Sequence, residues 1–228
     1  MTGIRTGVID TVAVSRDCPR CARLVAFRTL WRGKQPSWFN APVPSFGATS
    51  ARLLIVGLAP GLQGANRTGR PFTGDYAGDL LYATLKQYGF AVGEYAARPD
   101  DGLCLVDARI TNAVRCVPPE NKPVGEEIRQ CRDFLRATIA EMPNLAAIVA
   151  LGRIAHDTVV ATLGHRLAAF PFGHGARHAL APVTLFDSYH CSRYNTNTGV
   201  LTPDMFRSVF AAVRRHLGDN GPQSDAAP

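Results

Sequence analysis

A chain of 228 residues with 46% hydrophobic content can bury one substantial core, and its formal charge of +7 rests on 25 basic against 18 acidic residues. All the basic residues except Lys34, Lys86 and Lys122 are arginine, whose planar forks match phosphate, so the balance points toward a nucleic-acid partner without requiring one. No stretch reaches the roughly 18 apolar residues of a membrane span, and Met1 to Cys18 holds no apolar core beside a cleavage site, which leaves a soluble, cytoplasmic protein as the expectation.

In chain order, the first signal is Cys18-Pro-Arg-Cys21, a spacing that lets two thiolates reach one centre. Cys116, which ends a strand-like run, and Cys131, in a helix-like one, complete a set that reads as a metal or cluster site. Buried free thiols are the competing account. Four thiolates suit tetrahedral zinc or a 4Fe–4S cluster, and the long gap between the pairs is unlike a zinc ribbon, which favours the cluster. Such a site would staple the N-terminal arm to the body, and a reducing cytoplasm suits it. Cys104 and Cys191 are left over and read as core residues.

Arg52 to Gly57 is a short apolar run before a Gly/Pro-rich loop, the pattern of a fully buried parallel strand. Helical spacing follows at Leu80, Leu81, Leu85 and Tyr88 and stops at Gly89. Strands are predicted over Arg109 to Val114, Ala146 to Leu151 and Val183 to Tyr189, and helices over Val124 to Glu141, Arg153 to Leu163 and Met205 to Leu217. The polar tail from Gly218 to Pro228 is expected to be disordered. This alternation predicts one three-layer α/β/α domain over residues 1–217, with a central four-stranded parallel sheet and a site at the carboxyl ends of its strands. No internal repeat is present.

Three post-strand loops hold polar residues that the fold does not need: Gly57 to Gly78, Asn112 to Pro123, and His190 to Gly199. The first, GLAPGLQGANRTGRPFTGDYAG, matches no Walker or GxGxxG pattern, yet ends at a helix N-terminus and could cradle phosphate through backbone amides. From Asn66 to Asp75 it combines arginines, an aromatic ring and a carboxylate, the types needed to hold a phosphate, stack a base and handle a water. Asp75 is equally placed to cap the helix that begins near Ala77, and Phe72 to be core. In the last loop, His190 follows a buried strand directly, with hydroxyls, an arginine and an aromatic behind it. His174 and His178 lack that placement and read as surface or supporting residues.

Taken together, GLAPG after the first strand, NRTGRPFTGD, Thr111-Asn112-Ala113-Val114-Arg115-Cys116, Pro118-Pro119-Glu120-Asn121-Lys122-Pro123 and HCSRYNT resemble the iron-sulfur uracil-DNA glycosylases, and among them family five, over about Cys18 to Arg215. The resemblance implies that Cys18, Cys21, Cys116 and Cys131 hold a structural 4Fe–4S cluster on a four-stranded parallel sheet flanked by helices. It implies hydrolysis of the N-glycosidic bond of a deaminated base in DNA, leaving an abasic site. Many relatives carry Asp or Glu inside the first motif, where Leu58 and Ala59 offer no polar atom, so the water-activating carboxylate is assigned to Asp75. Substrates beyond uracil, namely hypoxanthine, xanthine and ethenocytosine, are implied as well.

The mechanism so implied flips the base out of the duplex, stacks it on Phe72 and reads its edge with Asn112, Asn121 being a second amide candidate. His190 donates to uracil O2 as negative charge develops, and Asp75 positions or deprotonates water. Arg67 and Arg70 hold phosphates, while Arg193, Tyr194 and Asn195 belong to a loop that enters the minor groove, Arg193 or Tyr194 filling the gap. None of the lysines sits in these loops with an apolar pocket evident, so a monofunctional glycosylase is expected. It would act as a monomer on double-stranded DNA, with single strands as a further form. Two rivals stand beside it: a non-catalytic DNA-binding module whose cluster or zinc orders an arm of Arg16, Arg20, Arg23, Arg28 and Arg32, and a cluster-bearing electron-transfer protein, which leaves both polar loops without a purpose.

Overall fold

A computed structural model describes residues 14–218, so Gly218 alone of the predicted tail falls within the described residues. The elements in chain order are α1 (Ala22–Lys34), β1 (Leu53–Gly57), α2 (Ala65–Thr68), α3 (Tyr76–Gln87), β2 (Ala91–Val92), β3 (Cys104–Leu105), β4 (Ala108–Asn112), α4 (Gly125–Ala140), β5 (Ala147–Leu151), α5 (Arg153–Thr162), β6 (Arg177–Leu180), β7 (Val183–Ser188), α6 (Arg193–Asn197) and α7 (Pro203–His216). The main sheet runs β4-β1-β5-β7-β6, and its first four strands are parallel. These are the four strands the sequence predicts. The fifth, β6, adds an antiparallel edge whose residues are mostly exposed or half-buried, so it carries no continuous apolar run by which to be recognised.

Both faces of the parallel strands are covered, which is why those strands read as unbroken apolar runs. Leu53, Ile55, Val149 and Leu151 face α3 and α7 through Leu81, Leu85, Phe206 and Phe210. Leu54, Val56, Ile148 and Ala150 face α4 and α5 through Leu135, Ala155, Val159 and Val160. Each fully buried Leu, Ile or Phe here contributes about 1.5–3 kcal/mol relative to exposure. Helix starts follow local chemistry: Thr202 accepts the Met205 amide at 3.2 Å ahead of Pro203, and Glu127 reaches back to the Val124 amide at 2.9 Å.

The sequence reading treats the segment after Cys21 only as an arm, whereas it is the 13-residue helix α1. Leu24 and Arg28 are its only buried residues, so no apolar stripe announces it. At the far end of β7, Asp187 lies within hydrogen-bond distance of His156 Nδ1 (2.7 Å) and His178 Nε2 (3.0 Å) and accepts the Gly173 amide (3.3 Å). That buried cluster ties α5 and β6 to the strand that leads to His190. His174 Nδ1 accepts the Tyr189 amide at 3.1 Å, so both histidines support the strand end.

Candidate active site and four-cysteine centre

Gly57, Asn112 and Ser188 end β1, β4 and β7, with Gly57 in register with Asn112, so the loops beyond them open on one edge of the sheet. There they enclose a cavity of about 410 Å³ lined by Leu58 to Gly61, Phe72, Asp75, Asn112, Asn121, His190 and Arg193 among others. Every residue assigned above to catalysis or base recognition lies on this one wall. A side chain at Gly57 would overlap both Asn112 Oδ1 and the Phe72 ring, so only glycine leaves the cavity its depth.

Asn112 is 3% exposed, and its Oδ1 has no hydrogen-bond partner among the described residues. A buried acceptor left unmade costs about 1–3 kcal/mol, which a ligand with an N–H donor would relieve. Phe72 sits at φ +52°, in the left-handed region, with its ring 6.0 Å from the His190 imidazole and inclined by 30°. Burial pushes the His190 imidazole down to about 4, so at neutral pH it is uncharged and has one N–H to donate. The backbone oxygen of His190 takes Asn195 Nδ2 at 2.8 Å, which shapes the loop.

Asp75 does both things that the sequence set against each other. Its Oδ1 accepts the Gly78 amide at 3.3 Å and so caps α3, while its Oδ2 faces Gly61 and Gly64 at the cavity wall. A methyl group on Gly64 would overlap that oxygen. Burial raises the Asp75 carboxyl above its ordinary range, against the opposing pull of the Gly78 and Ala77 amides.

The expected DNA contacts divide. Arg67 is exposed with its Nε on the Gln63 carbonyl, Arg193 lies over the Tyr76 ring at 5.3 Å, and Tyr194 is 74% exposed beside the cavity mouth. Arg70 is the correction. It is 5% exposed, binds Asp101 through both terminal nitrogens at 2.8 and 2.7 Å, and sits over the rings of Phe46, Tyr82 and Tyr95, so no phosphate can reach it. Although burial opposes it, that guanidinium and the Ala96 and Leu103 amides hold the Asp101 carboxyl below the usual range. Asn195 is a second adjustment, since its amide nitrogen serves the His190 carbonyl rather than a groove. Tyr82, Tyr95 and Asp101 were missed, because nothing local in the sequence marks a partner that lies 31 residues from Arg70.

The arm arginines are engaged within the protein. Arg16 donates to the Phe39 carbonyl, Arg20 pairs with Asp133 and Arg32 with Asp17, and Arg23 binds Glu127 at 2.8 and 2.7 Å. These contacts fasten the arm to the body, while Arg20, Arg23 and Arg32 stay partly exposed.

Cys18, Cys21, Cys116 and Cys131 line a single small cavity of about 20 Å³, joined by α1, the post-β4 loop and α4. Arg28, 4% exposed, reaches Cys116 Sγ at 3.5 Å and the Cys18 carbonyl at 3.0 Å, and the Arg115 amide donates to Cys131 Sγ at 3.3 Å. Burial pushes the Cys116 thiol up to about 12 and the Cys131 thiol up to about 11. Four converging cysteines, three half-buried and Cys131 buried, with two buried arginines and an Arg28 Nε with no partner among the described residues, fit a thiolate-ligated centre. Of the leftover cysteines, Cys191 is fully buried as expected, with its Sγ 3.5 Å from the Ala77 carbonyl. Cys104 is not core: it lies half-buried on the two-residue strand β3.

Sheet order, a site at the carboxyl ends of β1, β4 and β7, and a loop set of this kind define a class, and residues 44–214 match the uracil DNA glycosylase superfamily profile. The chain is 42% identical to the type-5 uracil-DNA glycosylase of Thermus thermophilus, covering 94% of this chain and 99% of that protein. It is 40% identical to the type-5 uracil-DNA glycosylase of Pyrobaculum aerophilum over 90% of each, and 30% identical to the type-4 uracil-DNA glycosylase of Sulfurisphaera tokodaii over 84% of this chain and 78% of that one. The chain belongs to the uracil-DNA glycosylases, in the type-5 branch.

Proposed function

We propose that the chain is a uracil-DNA glycosylase, a hydrolase that cleaves the N-glycosyl bond of uracil in DNA and leaves an abasic site. One observation carries the reading beyond kinship: Asp75 and His190, on loops far apart in sequence, line the same cavity as a buried amide oxygen that lacks a partner among the described residues. Asn112 Oδ1 suits a uracil N–H, and the Phe72 ring offers a stacking face for a base turned out of the duplex. As the C1′–N bond breaks, electrons move to the base and the sugar becomes cationic. The neutral His190 imidazole donates an N–H to the developing base oxyanion, a contribution of about 10²–10³-fold in rate for donors of this kind. The Asp75 carboxylate accepts the proton of a water whose oxygen bonds to C1′, a role that supplies about 10²–10⁴-fold. The described lining residues of the cavity include no lysine, and the reading is of hydrolysis without strand cleavage.

Around this centre, Arg67 and Arg193 would meet phosphates, and Tyr194 or Arg193 would occupy the space that the flipped base leaves. Arg193 and Tyr194 begin the short helix α6, with Arg193 on the cavity lining and Tyr194 exposed next to it. The apolar atoms of Leu58, Ala59 and Ala65 and the volume of about 410 Å³ support acceptance of hypoxanthine, xanthine and ethenocytosine as well. Cys18, Cys21, Cys116 and Cys131 would hold a 4Fe–4S cluster, which supplies a cross-link between α1, the post-β4 loop and α4 and no part of a hydrolysis that moves no electrons. A monomer acting on duplex DNA in the cytoplasm, with single strands as a further form, completes the reading; no described helix is long and apolar enough to cross a membrane.

The test is a labelled duplex with one uracil opposite guanine, treated with alkali after incubation. Cleavage only after alkali, abolished by Asp75→Ala with the cysteine centre retained, supports the assignment. Binding without base release returns the weight to a non-catalytic module. Elemental analysis separates the two centres, since a cluster brings about four irons with acid-labile sulfide and the alternative brings one zinc.

A further inference from the structure

We propose that Tyr95, in the loop between β2 and β3 and outside the cavity, is a positioning residue for base excision: its hydroxyl and the buried Arg70–Asp101 pair hold the Phe72 backbone in the left-handed form that sets the ring on the cavity wall. The inference rests on reading Phe72 as the stacking surface for the flipped base.

A phenylalanine at φ +52° is sterically unfavourable and persists only where its surroundings over-determine it. Three successive residues are fastened here. Tyr82 Oη donates to the Pro71 carbonyl at 2.6 Å, Tyr95 Oη to the Phe72 carbonyl at 3.2 Å, and Arg70 Nε to Thr73 Oγ1 at 2.8 Å. Arg70 is fixed in turn by Asp101, whose carboxylate also takes the Ala96 amide at 2.9 Å and the Leu103 amide at 3.1 Å. Loop 93–103 and turn 70–73 are thereby one braced unit. The Tyr82 and Tyr95 rings pack at 4.6 Å with 32° between their planes, and Gly78 admits no side chain because one would overlap both the Phe72 carbonyl and Tyr95 Oη.

Within the brace, the Tyr95 hydroxyl is the contact made on Phe72 itself. Burial pushes it up to about 12, so it stays a donor throughout the working pH range. Tyr95→Phe removes that donor and keeps the ring packing. If the hydroxyl only supported the fold, its loss would lower stability and leave the chemistry alone. If it positions Phe72, the loss appears in the rate of base release and disappears once the Phe72 ring is gone.

The experiment is a double-mutant cycle on single-turnover uracil release from a uracil–guanine duplex, with DNA affinity and melting temperature measured alongside. Tyr95→Phe is expected to slow release about ten-fold at unchanged affinity, with a lowered melting temperature that still leaves the chain folded at the assay temperature. Added to Phe72→Ala, it is expected to slow release no further. A wild-type rate for Tyr95→Phe, or full additivity with Phe72→Ala, overturns the proposal. A wild-type rate for Phe72→Ala by itself overturns the stacking reading instead, so the two failures are told apart.

Discussion

Asn112 ends β4 and Cys116 follows it four residues later, yet the first lines a cavity of about 410 Å³ and the second closes on one of about 20 Å³. Around the cysteines the protein supplies its own counter-charges and donors, Arg28 on Cys116 Sγ and the Arg115 amide on Cys131 Sγ, within a shell that includes Leu24 and Val114. Around the larger cavity it withholds them: Asn112 Oδ1 has no described partner, and the His190 ring is half-buried and uncharged at neutral pH. Under the proposed function, the first set is furnished for a resident cluster and the second is kept short of partners for a transient base.

The comparison breaks most sharply at Asp75. Asp75→Asn is expected to slow uracil release by about 10²–10⁴-fold while keeping the cap on α3, since asparagine caps as well as aspartate. Its folding effect has the opposite sign. Because the native Asp75 carboxyl titrates above its ordinary value, ionisation costs the folded state stability once the pH has risen through that raised value, so the melting temperature of Asp75→Asn at pH 7 should equal or exceed that of the native chain. His190→Ala should follow with a loss of about 10²–10³-fold in single-turnover rate at intact affinity for DNA.

Arg28→Gln probes the other side of the comparison. It removes a buried cation beside Cys116 Sγ, and with the proposed cluster in place it should increase loss of iron to a chelator about ten-fold, read as iron release, with little change in the initial rate of freshly purified enzyme. The smallest effect is the pH profile. Release should weaken as the pH falls through the raised pKa of Asp75, above the 3.8 of an ordinary aspartate, and His190 should add no second limb until about pH 4. A limb near pH 6.5 would mean that His190 titrates as an ordinary imidazole and is not the neutral donor described.

The parallel strands and their following helices were legible because burial on both sheet faces writes itself as unbroken apolar runs, and Gly89 marks a helix end with φ +68°. Asp75, His190, Phe72, Asn112, Asn121 and Arg193 were found together because strand-end loops converge on one edge. Arg70 was misread for a physical reason. An arginine in a polar loop looks like a phosphate ligand until its carboxylate is known, and Asp101 belongs to an irregular loop with no periodicity to place it. The helix α1 and the strand β6 escaped because each buries too little of its surface to leave a pattern.

Gly57 and Gly64 have no side chains to contribute, and that is their effect. One leaves space beside Asn112 Oδ1 and the Phe72 ring, the other beside Asp75 Oδ2, so the room for a base and for a water is defined by atoms the chain omits. Gly57→Ala and Gly64→Ala are therefore each expected to slow uracil release with every ionisable residue in place, because the added methyl group must displace Asn112 and Phe72 at one position and Asp75 at the other.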